Sequence, residues 1–325
     1  MSNYRDCYFD NRGPFNEFEG FYSIVNCQLA MMKDYQRNEG LFKAIKKYCK
    51  GKRVVDFGAG TGLLGVYALM NGAKEVWFVE REVNLHPIIE NLARINGDFD
   101  NNVDYHICVN ASQIPDQKDY FEVCISECVG DSGIEDTMTY EFSKITSKHP
   151  NSICIPDRIE YFWSSVYVDE VEKEIKYMKD FPLNYVDLFG KDESPFCPMN
   201  AMRGCSLRGY HNIIENKIST LDLKNYPTEP YVDMRFSLNN SSIEQEHNFI
   251  VLHWKCFTED LEILNNSPQR HKDSYNHWLQ FGFRDEGFKG DYSLYTNVHT
   301  GLVNLLKYID EDDNKIIQGL NFKYK

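Results

Sequence analysis

The sequence predicts an α/β half with a parallel sheet, followed by an antiparallel β half closed as a barrel or a sandwich. Three observations predict it. Strands alternate with helices across 50–150, the pattern of a parallel sheet. Near Ile155-Pro156 the chain changes to Tyr-, Phe- and Val-rich runs with turn clusters between them, the pattern of antiparallel β architecture. The length of 325 residues suits two domains at about 150 residues each.

The elements follow in order. Over 21–50, Ile24, Leu29, Met32, Leu41, Phe42 and Ile45 recur at near-helical spacing, and Gly51 ends the segment. Arg53–Phe57 is a short apolar strand running into Gly58-Ala-Gly-Thr-Gly62. Leu63–Met70 is helical and stops at Asn71-Gly72; Glu75–Val79 is the next strand, ending at Glu80. A helix over Pro87–Ile95 and strands over Tyr105–Val109 and Phe121–Ser126 complete this half. Beyond Pro156, strands are expected at Tyr161–Val168, Tyr231–Leu238, Phe249–Cys256, His277–Phe283 and Gly319–Tyr324. The acidic run Asp310–Asn314 reads as a solvated hairpin turn, and His253-Trp254 as barrel residues inside a strand. The expected division is a helical segment over 1–50, a cofactor-binding α/β domain over 51–156 and a β domain over 157–325.

Composition narrows the function classes. Hydrophobic residues are 42%, and aromatics at 14% with only 11 prolines exclude disorder as the main state. Lys+Arg is 35 and Asp+Glu 49, so the net charge of −14 opposes a nucleic-acid binder, which needs a basic footprint. It favours a cationic partner. No signal-peptide pattern or apolar run of 18 residues is visible, so neither secretion nor a membrane partner is expected. The ten cysteines lack paired CxxC spacing, so no metal site is expected. They read as reduced thiols of a cytoplasmic compartment, with the nucleus equally compatible.

The chemistry begins at the glycine turn. Glycines allow close backbone approach to a ligand, and a helix start offers free N–H groups. Glu80, ending the second strand, stands where a carboxylate can bond ribose hydroxyls. A dinucleotide fingerprint would need glycine at position 63, which is Leu63. Asp56 followed by Gly58, Gly60 and Gly62 resembles instead the turn of Rossmann-like S-adenosylmethionine-dependent methyltransferases.

Further segments extend the likeness: Phe18-Glu-Gly-Phe-Tyr22, Met31-Met-Lys-Asp34-Tyr-Gln-Arg37, Ser126-Glu127 through Glu135-Asp136, Ser152–Pro156, Ser267-Pro268 and Tyr275-Asn-His277-Trp278-Leu-Gln280. In this order they resemble the protein arginine methyltransferases from about Phe18 to the C-terminus. The resemblance implies a cofactor site of Gly58, Gly60, Gly62, Asp56 and Glu80, with Arg37 on the cofactor's carboxylate and Met31 and Tyr22 shaping the pocket beside the methyl group. It implies that Glu127 and Glu135 grip a substrate guanidinium, with Asp136 at the position the family's second glutamate usually takes. It further implies that His277, paired with Asp34, and Trp278 form the late His-Trp loop. The fold implied is a Rossmann-like domain followed by a β-barrel with a helical dimerisation arm at about 170–215, giving a head-to-tail homodimer. The family's aromatic-rich stretch between the two glutamates is replaced by Cys-Val-Gly-Asp-Ser-Gly-Ile.

The expected activity is arginine N-methylation with S-adenosylmethionine, on protein or peptide substrates. Two rivals stand beside it: methylation of free arginine or a small guanidino metabolite in specialised biosynthesis, and an inactive scaffold partner of an active relative.

Overall fold

The computed structural model describes residues 25–96, 104–127, 129–130, 133–134, 138–168, 203–205, 210–238, 247, 249–273, 280–283, 290–299, 302–308 and 316–321. Val25–Lys33 (α1) and Tyr35–Tyr48 (α2) lead in. The expected helix over 21–50 is therefore two helices, broken at Asp34. Five strands follow: Arg53–Phe57 (β1), Glu75–Val79 (β2), Asp104–Cys108 (β3), Val123–Ile125 (β4) and Ile153–Ile155 (β5). They pair in parallel in the order β3-β2-β1-β4-β5. Leu63–Met70 (α3), His86–Asn96 (α4) and Met138–Lys148 (α5) are the described helices of this half.

The order reverses between β1 and β4. In such sheets the crevice at that switch point, at the carboxyl ends of the strands, is the usual ligand position. The glycine turn follows β1, Glu80 follows β2, and Ser126-Glu127 follows β4. Val54, Val76, Phe78, Val123 and Ile125 are buried on one side of the sheet, and Val55, Phe57, Val79 and Cys124 on the other. Both faces are thus covered, as a parallel sheet requires.

After β5 the chain turns into antiparallel pairing. Arg158–Val168 (β6), Arg203–Cys205 (β7), Tyr210–Asp222 (β8), Tyr231–Leu238 (β9), Phe249–Thr258 (β10) and Leu261–Asn265 (β11) precede a short helix, Pro268–Asp273 (α6). Gln280–Phe283 (β12), Gly290–Asn297 (β13), Leu302–Tyr308 (β14) and Ile316–Asn321 (β15) complete it. One sheet runs β7-β12-β10-β6-β8 with β11 on β10; the other runs β15-β14-β13-β9. The fold is a Rossmann-like α/β domain followed by a barrel-like β domain. His253 and Trp254 lie buried within β10, as expected of barrel residues. The acidic run 310–314 falls between β14 and β15, which pair antiparallel.

Helices α5 and α6 and strands β5, β7, β8, β11, β13 and β14 are additions to the elements expected from sequence. The expected helix over Val171–Lys179 and nearly all of the expected arm at 170–215 lie outside the described residues. Five described cysteines, Cys49, Cys108, Cys124, Cys154 and Cys256, are buried free thiols; burial pushes Cys49 up to about 12 and Cys108 and Cys154 up to about 11. No described helix is long and apolar enough to cross a membrane.

The two halves meet along a hydrogen-bonded seam. Thr258 Oγ1 donates to Cys154 O at 3.1 Å, and Thr146 Oγ1 of α5 donates to Leu223 O at 3.2 Å. Helix α2 is wedged between α3, where Phe42 stacks on Tyr67 at 4.0 Å, and β11. Gly40 permits this: a Cβ there would lie 1.9 Å from the Ile263 carbonyl oxygen, so backbone would have to move. Gly40→Ala is expected to destabilise the chain by about 1–3 kcal/mol, the usual cost of overpacking. An unchanged denaturant midpoint would refute that contact.

Candidate active site

The glycine turn is built by backbone conformation. Gly58, Gly60 and Gly62 adopt φ of +73°, +57° and +84°, left-handed values costly for other residues. Gly58 N–H and Ala59 N–H both donate to Val79 O, at 2.9 and 3.1 Å, tying the turn to the end of β2. Asp56 is buried and accepts the Gly65 N–H at 2.8 Å. It holds the first turn of α3 in place. Burial pushes its carboxyl up to about 7, against the Gly65 hydrogen bond, which pulls it down.

Glu80 lies across the mouth of the turn. One oxygen accepts Gly60 N–H at 2.6 Å and the other accepts Glu82 N–H at 2.7 Å. Burial raises its pKa, while the two N–H groups oppose the rise. Helix α1 covers the same turn: a Cβ on Gly60 would meet the Gln28 side-chain oxygen at 3.3 Å, and Gln28 is buried.

The break between α1 and α2 organises the charged residues. Asp34 is the N-cap of α2, a favoured residue there because its side chain accepts the Arg37 N–H, here at 3.0 Å. Asn38 accepts from Arg37 Nη1 at 2.7 Å and donates Nδ2 to Met32 O at 2.9 Å, joining the end of α1 to the arginine. Arg37 Nη2 donates to Glu127 Oε2, and both side chains are buried. Asp34 Oδ1 also accepts from Arg270 Nη2 of α6, again with both side chains buried.

Four charges therefore alternate at the crevice: Arg270, Asp34, Arg37 and Glu127. Arg37 Nε is buried with no hydrogen-bond partner among the described residues. A donor of that kind beside a positive-φ glycine turn and a strand-end carboxylate suits a ligand carrying a carboxylate and a ribose. The donor set thus fits S-adenosylmethionine.

Of the residues singled out from sequence, the structure brings together Asp34, Arg37, Asp56, Gly58, Gly60, Gly62, Glu80 and Glu127 around one crevice. Met31 is half-buried on α1, and its carbonyl accepts the Asp34 N–H at 3.2 Å. Tyr22, Glu135, Asp136, His277 and Trp278 lie outside the described residues. After Glu127, Gly133 N–H donates to Gly130 O at 2.9 Å. A Cβ on Gly133 would meet Tyr161 Oη at 2.9 Å and Trp254 at 3.1 Å, so β6 and β10 pack closely on the chain at Gly133.

Sequence reasoning missed Gln28, Asn38 and Arg270. Gln28 and Asn38 carried a faint signal, polar residues at helix positions that face inward. Arg270 carried none, since its partner stands 236 positions away.

A family model described as "Conserved hypothetical protein 95" matches residues 33–124, from Lys33 into β4. Protein arginine N-methyltransferase 6 of Xenopus laevis is 28% identical over 284 residues, 81% of this chain and 79% of that protein. Protein arginine N-methyltransferase 2 of Dictyostelium discoideum is 25% identical over 214 residues, 63% of this chain and 40% of that protein. Among solved structures, Arabidopsis thaliana protein arginine methyltransferase 10 superposes with a TM-score of 0.63 at 17% identity, covering 94% of this chain and 98% of that one. The Trypanosoma brucei PRMT1 enzyme–prozyme heterotetrameric complex with AdoHcy gives 0.61 at 17% identity, covering 92% and 98%. At such identities the structures share the fold.

The raised pKa of Asp56 carries a sign that can be measured. The unfolded chain releases this proton near the ordinary carboxylate value of 3.8, the folded chain near 7. Asp56 therefore costs stability progressively as pH rises from about 4 to about 7 and no further above that. Asp56→Asn keeps an acceptor for Gly65 and loses the titration. Its stability relative to wild type should rise across that window by at most about 1.4 kcal/mol per pH unit. A pH-independent difference in urea denaturation would contradict it.

Proposed function

We propose that the chain belongs to the protein arginine methyltransferase family and is an S-adenosylmethionine-dependent methyltransferase of arginine guanidino nitrogens in protein or peptide substrates. The observation that carries this reading is the buried Arg37–Glu127 pair at the crevice, beside the glycine turn and Glu80. The relatives named for protein arginine methylation and the solved neighbours with AdoHcy support it.

Each described residue then has a task. Glu80 would exchange its backbone N–H groups for ribose hydroxyls, and Gly58–Gly62 would admit the nucleoside closely. Arg37 would turn its guanidinium to the methionine carboxylate, with Nε as a spare donor and Asn38 holding Nη1. Asp56 would hold the turn without touching the cofactor. When bound, S-adenosylmethionine supplies an electrophilic methyl group. Arg37 and Glu127 neutralise one another in the crevice; a ligand carboxylate on Arg37 would free Glu127 for a cationic substrate.

A substrate guanidinium has a pKa above 12 and is a weak nucleophile while its charge is delocalised. Glu127, joined by Glu135 or the neighbouring Asp136, would grip the planar fork through charge-assisted hydrogen bonds. Charge drawn to the gripped nitrogens leaves the remaining one more nucleophilic, and positioning supplies much of the acceleration. The proton lost on methylation would pass to a hairpin carboxylate or to the pair of Asp34 and His277. Trp278, Tyr22 and Met31 would wall the pocket. The excess of carboxylates, a net charge of −14, supports an arginine-rich polypeptide over free arginine through steering. Buried free thiols support a cytoplasmic or nuclear location. A homodimer through an arm at about 170–215 is the assembly we favour. A light-scattering mass of one protomer at micromolar concentration would overturn it.

Incubation with methyl-labelled cofactor should label an arginine–glycine-rich peptide far better than free arginine. Preferential labelling of free arginine would select the metabolite reading. Cofactor binding without any labelled guanidine would select the scaffold. Glu127→Gln should retain cofactor affinity within about threefold while losing about 100-fold or more in kcat, the loss expected for a group acting on the reacting nitrogen. Undiminished kcat would remove Glu127 from the mechanism.

A further inference from the structure

We infer that Arg270, supplied by the β half, is a positioning residue that latches the cap formed by α1 over the glycine turn. The inference rests on the reading of that turn as the cofactor site, and extends it to a residue outside the α/β half.

The latch is visible link by link. Arg270 sits in the first turn of α6, where its N–H donates to Ser267 Oγ at 3.3 Å. Its Nη1 donates to Asn265 O at the end of β11, so the guanidinium is anchored to the β half before it meets any partner. Its Nη2 then reaches Asp34, the residue at which α1 ends and α2 begins. Asp34 and Arg270 side chains are 0% and 2% exposed, so water cannot replace either partner. A guanidinium stays charged, which keeps the link engaged across the working pH range.

Asp34 transmits this anchor in two directions. Toward α2, the same oxygen that meets Arg270 accepts the Arg37 N–H at 3.0 Å and fixes the start of the helix that carries Arg37. Toward α1, Asp34 N–H donates to Met31 O at 3.2 Å, and Asn38 holds Met32 O. One helical turn further back, Gln28 faces Gly60. The angle between α1 and α2, and with it the cover over the glycine turn, is thus set by a side chain of the β half.

This role differs from general adhesion between the halves. The seam at Thr258 and Cys154 and at Thr146 and Leu223, and the packing of Gly40 of α2 on Ile263 of β11, do not involve Arg270. Losing Arg270 should therefore loosen α1 while leaving the sheets joined.

The test compares Arg270→Gln and Arg270→Lys with wild type. Hydrogen exchange on the ligand-free proteins should show faster amide exchange in 25–33 for Arg270→Gln, with β1 and β10 unchanged. Calorimetry with S-adenosylhomocysteine should show a Kd weakened by about tenfold or more in Arg270→Gln, within the usual range of coupling between sites. Arg270→Lys, which keeps the charge with a single donor head, should fall between the two. Unchanged exchange in 25–33, or acceleration spread equally through β1 and β10, would overturn the latch, as would global unfolding of both variants. If wild type itself fails to bind S-adenosylhomocysteine, the cofactor reading falls, and the exchange data on ligand-free protein still decide the latch.

Discussion

The buried run of alternating charges, Arg270–Asp34 beside Arg37–Glu127, is the constraint on which the rest of this architecture turns. Each member comes from a different element: α6, the α1–α2 break, α2 and the end of β4. Burying a lone charge is prohibitive, and removing one partner of a buried pair costs about 3–5 kcal/mol. Each pair therefore ties its two elements together: α6 to the α1–α2 break, and α2 to the end of β4. Burial weakens the charge on Arg270 by desolvation, and the Asp34 carboxylate opposes that. The run is neutral as a whole, which is how two acids and two guanidinium groups can share one crevice.

That neutrality has a chemical consequence. A site awaiting a zwitterionic ligand and a cationic substrate cannot leave its own charges exposed to solvent or unpaired in the interior. Pairing Arg37 with Glu127 solves both problems in one contact. Glu80 follows the same logic on the other side of the turn, binding two backbone N–H groups that would otherwise be orphaned at a loop. Arg37 Nε apart, the charged groups of the crevice are thus held by one another or by backbone, in bonds that a ligand of matching chemistry can replace.

The division of labour between the halves follows from what each can supply. The parallel sheet supplies strand ends and a glycine turn, which approach a ligand through backbone. The β half supplies support from outside: Tyr161 and Trp254 against Gly133, Ile263 against Gly40, and Arg270 against Asp34. Helices α1 and α2 lie between and take their positions from both.

Local pattern was enough to read much of this. The strands β1 and β2, the turn at Gly58–Gly62 and the placement of Glu80 were legible because period, glycine conformation and strand ends are properties of a few adjacent residues. The long β8, starting at Tyr210, was not, because its alternation is interrupted by Asn216 and Lys217 and its course is set by register shifts against β6. Helix α5 was hidden by a polar run of Thr, Ser and Lys whose buried members, Thr139, Ser143 and Thr146, do not look like core. By itself, the sequence determined the two-part fold and the residue types at the crevice, since both rest on short-range periodicity and backbone freedom. Only the tertiary structure decided who pairs with whom. The partners Arg37 and Glu127 stand 90 positions apart, and Asp34 and Arg270 stand 236 apart. Ion pairing in a buried crevice depends on distance and dielectric in space, and neither is encoded in any local spacing.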